Sequence, residues 1–173
     1  GLDNLPLMVP FCRTPEEGAM VKELLDDNGI GPSTGTDLFV MVELPSNVIE
    51  AERFIQMMEL SGGSIGSNDL VQTVYAVSRD DLEGYQNPVD ARSPAVKSMI
   101  RQIVNKFNAR GLEIGICGQA PSDFPEEFPP FLIDCGISSI SVTPDTAIAV
   151  RNTVAEAEKA AKKLTKQAEL LSD

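Results

Sequence analysis

Five consecutive apolar residues, Leu38–Val42, lie between a Gly/Pro/Ser/Thr loop at 31–36 and the sequence Glu43-Leu44-Pro45. A run without alternation has no polar face to turn to water, so it reads as a strand covered on both sides, the habit of a parallel sheet. Shorter strand-like segments recur at 7–9, 64–65, 113–116 and 139–142, with amphipathic stretches between most of them. Thr14-Pro15-Glu16-Glu17 predicts a capping box with proline at the first helical position, and the helix stops near Asn28-Gly29. Asn47 with Glu50 predicts a cap for a second helix that ends before Ser61-Gly62-Gly63. Ser93-Pro94 opens the most periodic helix, which places Val96, Met99, Ile100, Ile103, Val104 and Phe107 on one face and is stopped by Gly111. A further helix spans roughly 126–134, after Asp123 and halted by Gly136, and a long Ala/Glu/Lys helix from about Asp145 closes the chain.

Five βα units in series predict an α/β fold with a parallel sheet and right-handed crossovers, either an open doubly wound sheet or a (β/α)8 barrel. Neither a Gly-x-Gly-x-x-Gly after the first strand nor a P-loop is present, which weakens the open-sheet, nucleotide-binding alternative. A complete barrel takes about 250 residues. The 173 residues are therefore read as a single domain holding a partial (β/α)8 TIM barrel, the last five units of one.

Charge and composition narrow the chemistry. A net charge of −12, from 14 Lys and Arg against 26 Asp and Glu, argues against nucleic acid as a partner. The absence of histidine removes His-based acid/base catalysis, serine triads, phosphohistidine and imidazole metal ligands together. Cys12, Cys117 and Cys135 have no Cys-x-x-Cys spacing, which predicts a reducing cytoplasm rather than a disulfide framework or a zinc site. No apolar stretch reaches the roughly 18 residues of a membrane span, and no signal-like segment opens the chain. A metal bound here is a hard one, held by oxygen.

In parallel folds the chemistry gathers where strands end. The polar residues at those edges are Arg13, Glu43, Ser67-Asn68-Asp69, Cys117-Gly118-Gln119 and Thr143. Glu43 follows an apolar run, so its carboxylate needs a partner. Asp69, read at the end of the next strand, is a natural companion, because two carboxylates from neighbouring strands can hold Mg²⁺. The alternative is that Asp69 caps the segment after it while Glu43 pairs with an arginine. Cys117 is either a small buried packing residue or a proton carrier, and without histidine nearby a nucleophilic role is the weaker one. Cys12 and Cys135 read as packing. Arg79 is either paired with Asp80 and Asp81 or an anion clamp.

The stretch Gly63-Ser-Ile-Gly-Ser-Asn-Asp-Leu-Val-Gln-Thr-Val-Tyr-Ala-Val-Ser-Arg79 resembles the long C-terminal motif of the phosphoenolpyruvate-utilising enzymes. Met41-Val-Glu-Leu-Pro-Ser46 and Gly115-Ile-Cys-Gly-Gln-Ala-Pro-Ser-Asp123 agree with it, and the resemblance runs from Pro6 to about Lys159. Gln119 after Cys-Gly, and Arg13 in Pro10-Phe-Cys-Arg-Thr14, are similar to the synthase branch, the pyruvate, water dikinases. Another family member, such as pyruvate phosphate dikinase, is an alternative reading of the same resemblance. The resemblance implies a catalytic barrel from about its fourth strand to its eighth, and a site for pyruvate and phosphoenolpyruvate (PEP). It implies Mg²⁺ on Glu43 and Asp69, substrate contacts from Ser67, Asn68 and Arg79, and proton transfer to and from the substrate carbon by Cys117. Family features outside this sequence are the ATP-grasp region, the phosphohistidine and the early barrel strands, so the chain alone is expected not to run the overall reaction. No role attaches to 82–92. The competing expectations are a non-catalytic PEP-binding module and a metal-dependent lyase or aldolase of the pyruvate-enolate type. A five-strand piece leaves open sheet edges, which predicts self-association, as in a homodimer, or packing on another chain.

Overall fold

In the computed structural model, which describes residues 4–78 and 89–170 (side chains to residue 163), five parallel strands lie side by side in chain order. They are β1 (Leu7–Val9), β2 (Leu38–Val42), β3 (Gly62–Gly66), β4 (Glu113–Cys117) and β5 (Ser139–Ile140). Every strand pairs with its predecessor, so the crossovers all step the same way, as in a barrel wall. A doubly wound sheet would reverse direction. The α/β class and the partial (β/α)8 arrangement expected from the sequence hold.

The helices are α1 (Pro15–Asp27), α2 (Pro45–Ile49), α3 (Ala51–Met58), α4 (Ser67–Tyr75), α5 (Pro94–Asn108), α6 (Ala120–Asp123), α7 (Phe128–Cys135) and α8 (Ala147–Leu170). A single 3₁₀ turn, Pro32–Thr34, precedes β2. Strand pleat sorts the side chains into two faces. Leu38, Val40, Val42, Ile65, Ile114 and Ile116 point to the helices and pack with Phe54, Met58, Val96, Ile100, Ile103, Val104 and Phe107 in one buried cluster. The opposite face, the barrel interior, carries Phe39, Met41 and Glu43 on β2 and the turn after it, against Gly62, Ser64 and Gly66 on β3. Small residues are needed there: a Cβ on Gly62 would sit 2.4 Å from the Phe39 ring, and one on Gly115 2.4 Å from Ser139 Oγ.

Three local expectations are corrected. Asn47 does not precede its helix: α2 begins at Pro45, and Asn47 caps it from inside by accepting the N–H groups of Glu43 and Leu44. Asp69 does not end a strand, because Ser67–Tyr75 is a helix that starts directly after β3. Its start carries no side-chain cap, and burial of Leu70 and Val71 holds it in place instead. The helix expected over 126–134 is Phe128–Cys135, preceded by the separate turn α6. Thr14 does cap α1, accepting the Glu17 N–H at 3.2 Å, while the Glu17 carboxylate reaches the N–H of Arg13 at 2.7 Å.

Candidate active site

The strand register brings the ends of β2, β3 and β4 to one level. Val42 pairs with Ile65, and Gly66 pairs with Cys117, so Glu43, Gly66 and Cys117 follow one another across the rim. Glu43 is only 5% exposed. Gly66 makes room for it, since a Cβ there would lie 2.6 Å from Glu43 Cγ and 2.9 Å from Oε1.

Glu43 forms no ion pair among the described residues, so the arginine partner is not found there. Its Oε2 accepts the backbone N–H of Phe11 at 3.1 Å, and its backbone carbonyl accepts the Thr73 hydroxyl at 2.7 Å. Burial raises its proton affinity, the Phe11 N–H opposes that, and the charge of Asp69 raises it further. The backbone brings Asp69 to the same sheet edge: Gly66, three residues before it, abuts the Glu43 side chain, and Thr73, four residues after it, hydrogen-bonds the Glu43 carbonyl. Asp69 stands in the first turn of α4, where the helix N-terminus favours a negative charge, and its Oδ1 accepts Gln72 Nε2 at 3.1 Å.

Two like-charged carboxylates, one of them buried, form a donor set that a hard divalent cation such as Mg²⁺ relieves and a neutral ligand does not. Among the described residues no group of three or more Asp, Glu, Cys or His side chains is arranged to hold a metal ion. A cation here would complete its shell with waters and substrate oxygens, the usual habit of Mg²⁺.

On the other side of Gly66, the Ser67 hydroxyl donates to the carbonyl of Cys117 at 3.2 Å. Ser67 is fully buried, whereas Cys117 is partly exposed. Asn68 Oδ1 receives the N–H of Gln119 at 3.5 Å. Gly118 joins the two turns at φ +137, a conformation glycine tolerates, and a Cβ there would fall 2.1 Å from Ser67 Oγ. The Ser-Asn-Asp turn and the Cys-Gly-Gln turn are therefore locked together.

The structure brings Glu43, Ser67, Asn68, Asp69 and Cys117 to one rim. Arg13 pairs with Glu17 at 2.6 Å on an exposed surface, and Thr143 is exposed, its N–H on Ser122 Oγ at 2.9 Å. Arg79, with Asp80, Asp81 and most of the 82–92 stretch, lies outside the described residues. Cys12 and Cys135 are buried, which raises both thiols. Sequence reading missed Phe11 and Gly66 altogether. The signal for Gly66 was available, as a glycine beside a carboxylate-bearing strand end. None existed for Phe11, a non-glycine residue at φ 55.

The comparisons with known proteins point the same way. The family model described as PEP-utilising enzyme, PEP-binding domain, matches residues 2–159. Phosphoenolpyruvate synthase of Aquifex aeolicus is 45% identical over 160 residues, taking in 92% of this chain and 18% of its own length. The phosphoenolpyruvate synthase of Synechocystis sp. is 44% identical over 161 residues, 92% of this chain and 19% of its own. The chain thus spans about a fifth of the length of the curated relatives it matches. Among solved structures, a citrate lyase from Burkholderia xenovorans superposes with a TM-score of 0.61 at 14% identity, over 86% of this chain and 48% of that one, a likeness of fold.

Proposed function

The chain belongs to the PEP-utilising enzymes, as their PEP-binding domain, and from that premise we propose that it is the pyruvate- and PEP-binding catalytic portion of a phosphoenolpyruvate synthase. The overall reaction would convert ATP, pyruvate and water to AMP, PEP and phosphate. The phosphoryl group would arrive from a phosphohistidine outside these 173 residues, which contain no histidine. Residues 1–173 act as one domain in this reading.

The observation that carries it is the placement of Glu43, Asp69 and Cys117 along one sheet edge. Glu43 and Asp69 would hold Mg²⁺, which would supply Lewis-acid stabilisation to negative charge developing on pyruvate. Glu43 is kept in place by the Phe11 N–H, and Asp69 by Gln72. Cys117, partly exposed at the rim, takes a proton from the methyl carbon of pyruvate on the way to PEP and returns one to the methylene carbon in reverse. Asn68 and Arg79 offer donors to the phosphoryl group, and Ser67 completes the same binding turn. The three cysteines are unpaired, which supports a reducing, cytoplasmic setting.

The test is exchange of the pyruvate methyl protons in deuterium oxide with Mg²⁺, followed by NMR on the 173-residue chain. The wild-type chain should wash out the methyl signal, and Cys117→Ala should slow exchange by about 10²-fold or more, the usual worth of a positioned acid/base group. Equal exchange in Cys117→Ala would remove the proton-transfer role. A Cys117→Ala variant that retains Mg²⁺-dependent PEP binding would locate the defect in proton transfer rather than in the binding site.

A further inference from the structure

Two loops that follow neighbouring strands form a closed circuit around Glu43. Asn47, 2% exposed, uses Oδ1 to accept the N–H of Glu43 at 3.1 Å and of Leu44 at 3.0 Å. Its Nδ2 donates to the carbonyl of Cys12 at 2.8 Å. The residue before Cys12 is Phe11, whose N–H meets Glu43 Oε2 at 3.1 Å. The backbone of Glu43 and its carboxylate are therefore gripped through the same β1–α1 loop, one by way of Asn47 and the other directly.

Phe11 pays for this arrangement in conformation. Its φ of 55 lies in the left-handed region, where a residue other than glycine is strained and persists only when its surroundings hold it. Phe11 is 49% exposed, so the hold comes from its neighbour: Cys12 is buried in the core and its carbonyl accepts the Asn47 amide. Asn47 is a buried side chain whose hydrogen-bonding atoms all face the two loops, and a helix cap by itself needs only the Oδ1 contacts.

We infer that Asn47 is a positioning residue of the cation site, anchoring the Phe11–Cys12 turn so that the Phe11 N–H fixes the Glu43 carboxylate at the rim it shares with Asp69. It touches neither cation nor substrate. The inference rests on the reading of Glu43 and Asp69 as metal ligands, and assigns to Asn47 what an outer group does for a ligand: it sets direction.

The experiment titrates the 173-residue chain with Mn²⁺ as a probe, read by electron paramagnetic resonance, in wild type, Glu43→Gln and Asn47→Ala. Wild type should bind and Glu43→Gln should not. Asn47→Ala should bind about 10–100-fold more weakly, the range for loss of a group supporting a metal ligand. In wild type, a Mg²⁺ titration followed by NMR should move the Phe11 N–H and the Asn47 side-chain amide protons together, with one dissociation constant. Asn47→Ala affinity equal to wild type, with Glu43→Gln dead, overturns the inference and leaves the cation reading standing. No Mn²⁺ binding by wild type overturns the cation reading and the inference with it. Should Asn47→Ala fail to fold, the wild-type titration decides. Asn47 amide protons that stay still while the Glu43 N–H moves overturn the proposal.

Discussion

Glu43 is held in the folded chain against its own preference for water. Burial raises its proton affinity, the Phe11 N–H offsets part of that, and Asp69 adds to it. The unfolded chain releases this proton in the ordinary carboxylate range, about 4.3, and the folded chain does so at higher pH. Between those two points the folded state binds more protons than the unfolded one, so stability falls as pH rises through the window. Glu43→Gln removes that penalty and keeps an oxygen for the Phe11 N–H. With chelator present, the variant should match wild type in acid, below the ordinary carboxylate range. At neutral pH it should unfold at a higher temperature. Thermal melts at the two pH values check this, and a variant less stable than wild type at neutral pH would contradict it. Glu43 and Cys117 were legible as candidates because each stands where an apolar run stops. Phe11 and the full reach of Asn47 were not, since one depends on a backbone angle and the other on a partner 35 positions away in sequence.

At the scale of elements, α4 decides where Asn68 and Asp69 stand. Leu70 and Val71 seat it on the sheet, and Thr73 ties it to the Glu43 carbonyl at 2.7 Å. Leu70→Ala should cost about 2–5 kcal/mol, the range for emptying a buried leucine site, measurable by urea unfolding. Mn²⁺ affinity should drop as well, because Asp69 is the residue next to it. A variant of unchanged stability would mean that α4 is seated by something other than its apolar face. This helix was the element the sequence reading missed, although Leu70, Val71, Val74 and Tyr75 recur at helical spacing. A start without a cap side chain hid it. Helix α5 was legible because Ser93-Pro94, a clean apolar stripe and Gly111 at φ +68 all mark the same segment.

For the molecule as a whole, the sheet has two ends, and among the described residues β1 and β5 each pair on one side only. Leu5 at 58%, Met8 at 47% and Phe11 at 49% exposure put apolar surface beside the first of these edges. An unpaired strand with apolar neighbours associates with another strand when one is within reach. In isolation the chain should self-associate at micromolar concentration, and added salt should promote this by screening the net charge of −12. Sedimentation velocity reads the outcome, and a folded monomer under both conditions would show that the edges are tolerated as they stand.

Local pattern alone determined the parallel βα repeat, the aliphatic core and the strand ends at which the candidate residues stand, because each follows from periodicity and hydrogen-bonding demand over a few residues. Tertiary structure decided the rest: that Glu43 shares its sheet edge with Asp69 and pairs with no arginine among the described residues, that buried Ser67 bonds the Cys117 carbonyl, and that Asn47 joins two loops. These depend on strand register and on contacts between segments far apart in the chain, and the residues near each position do not encode which distant partner arrives.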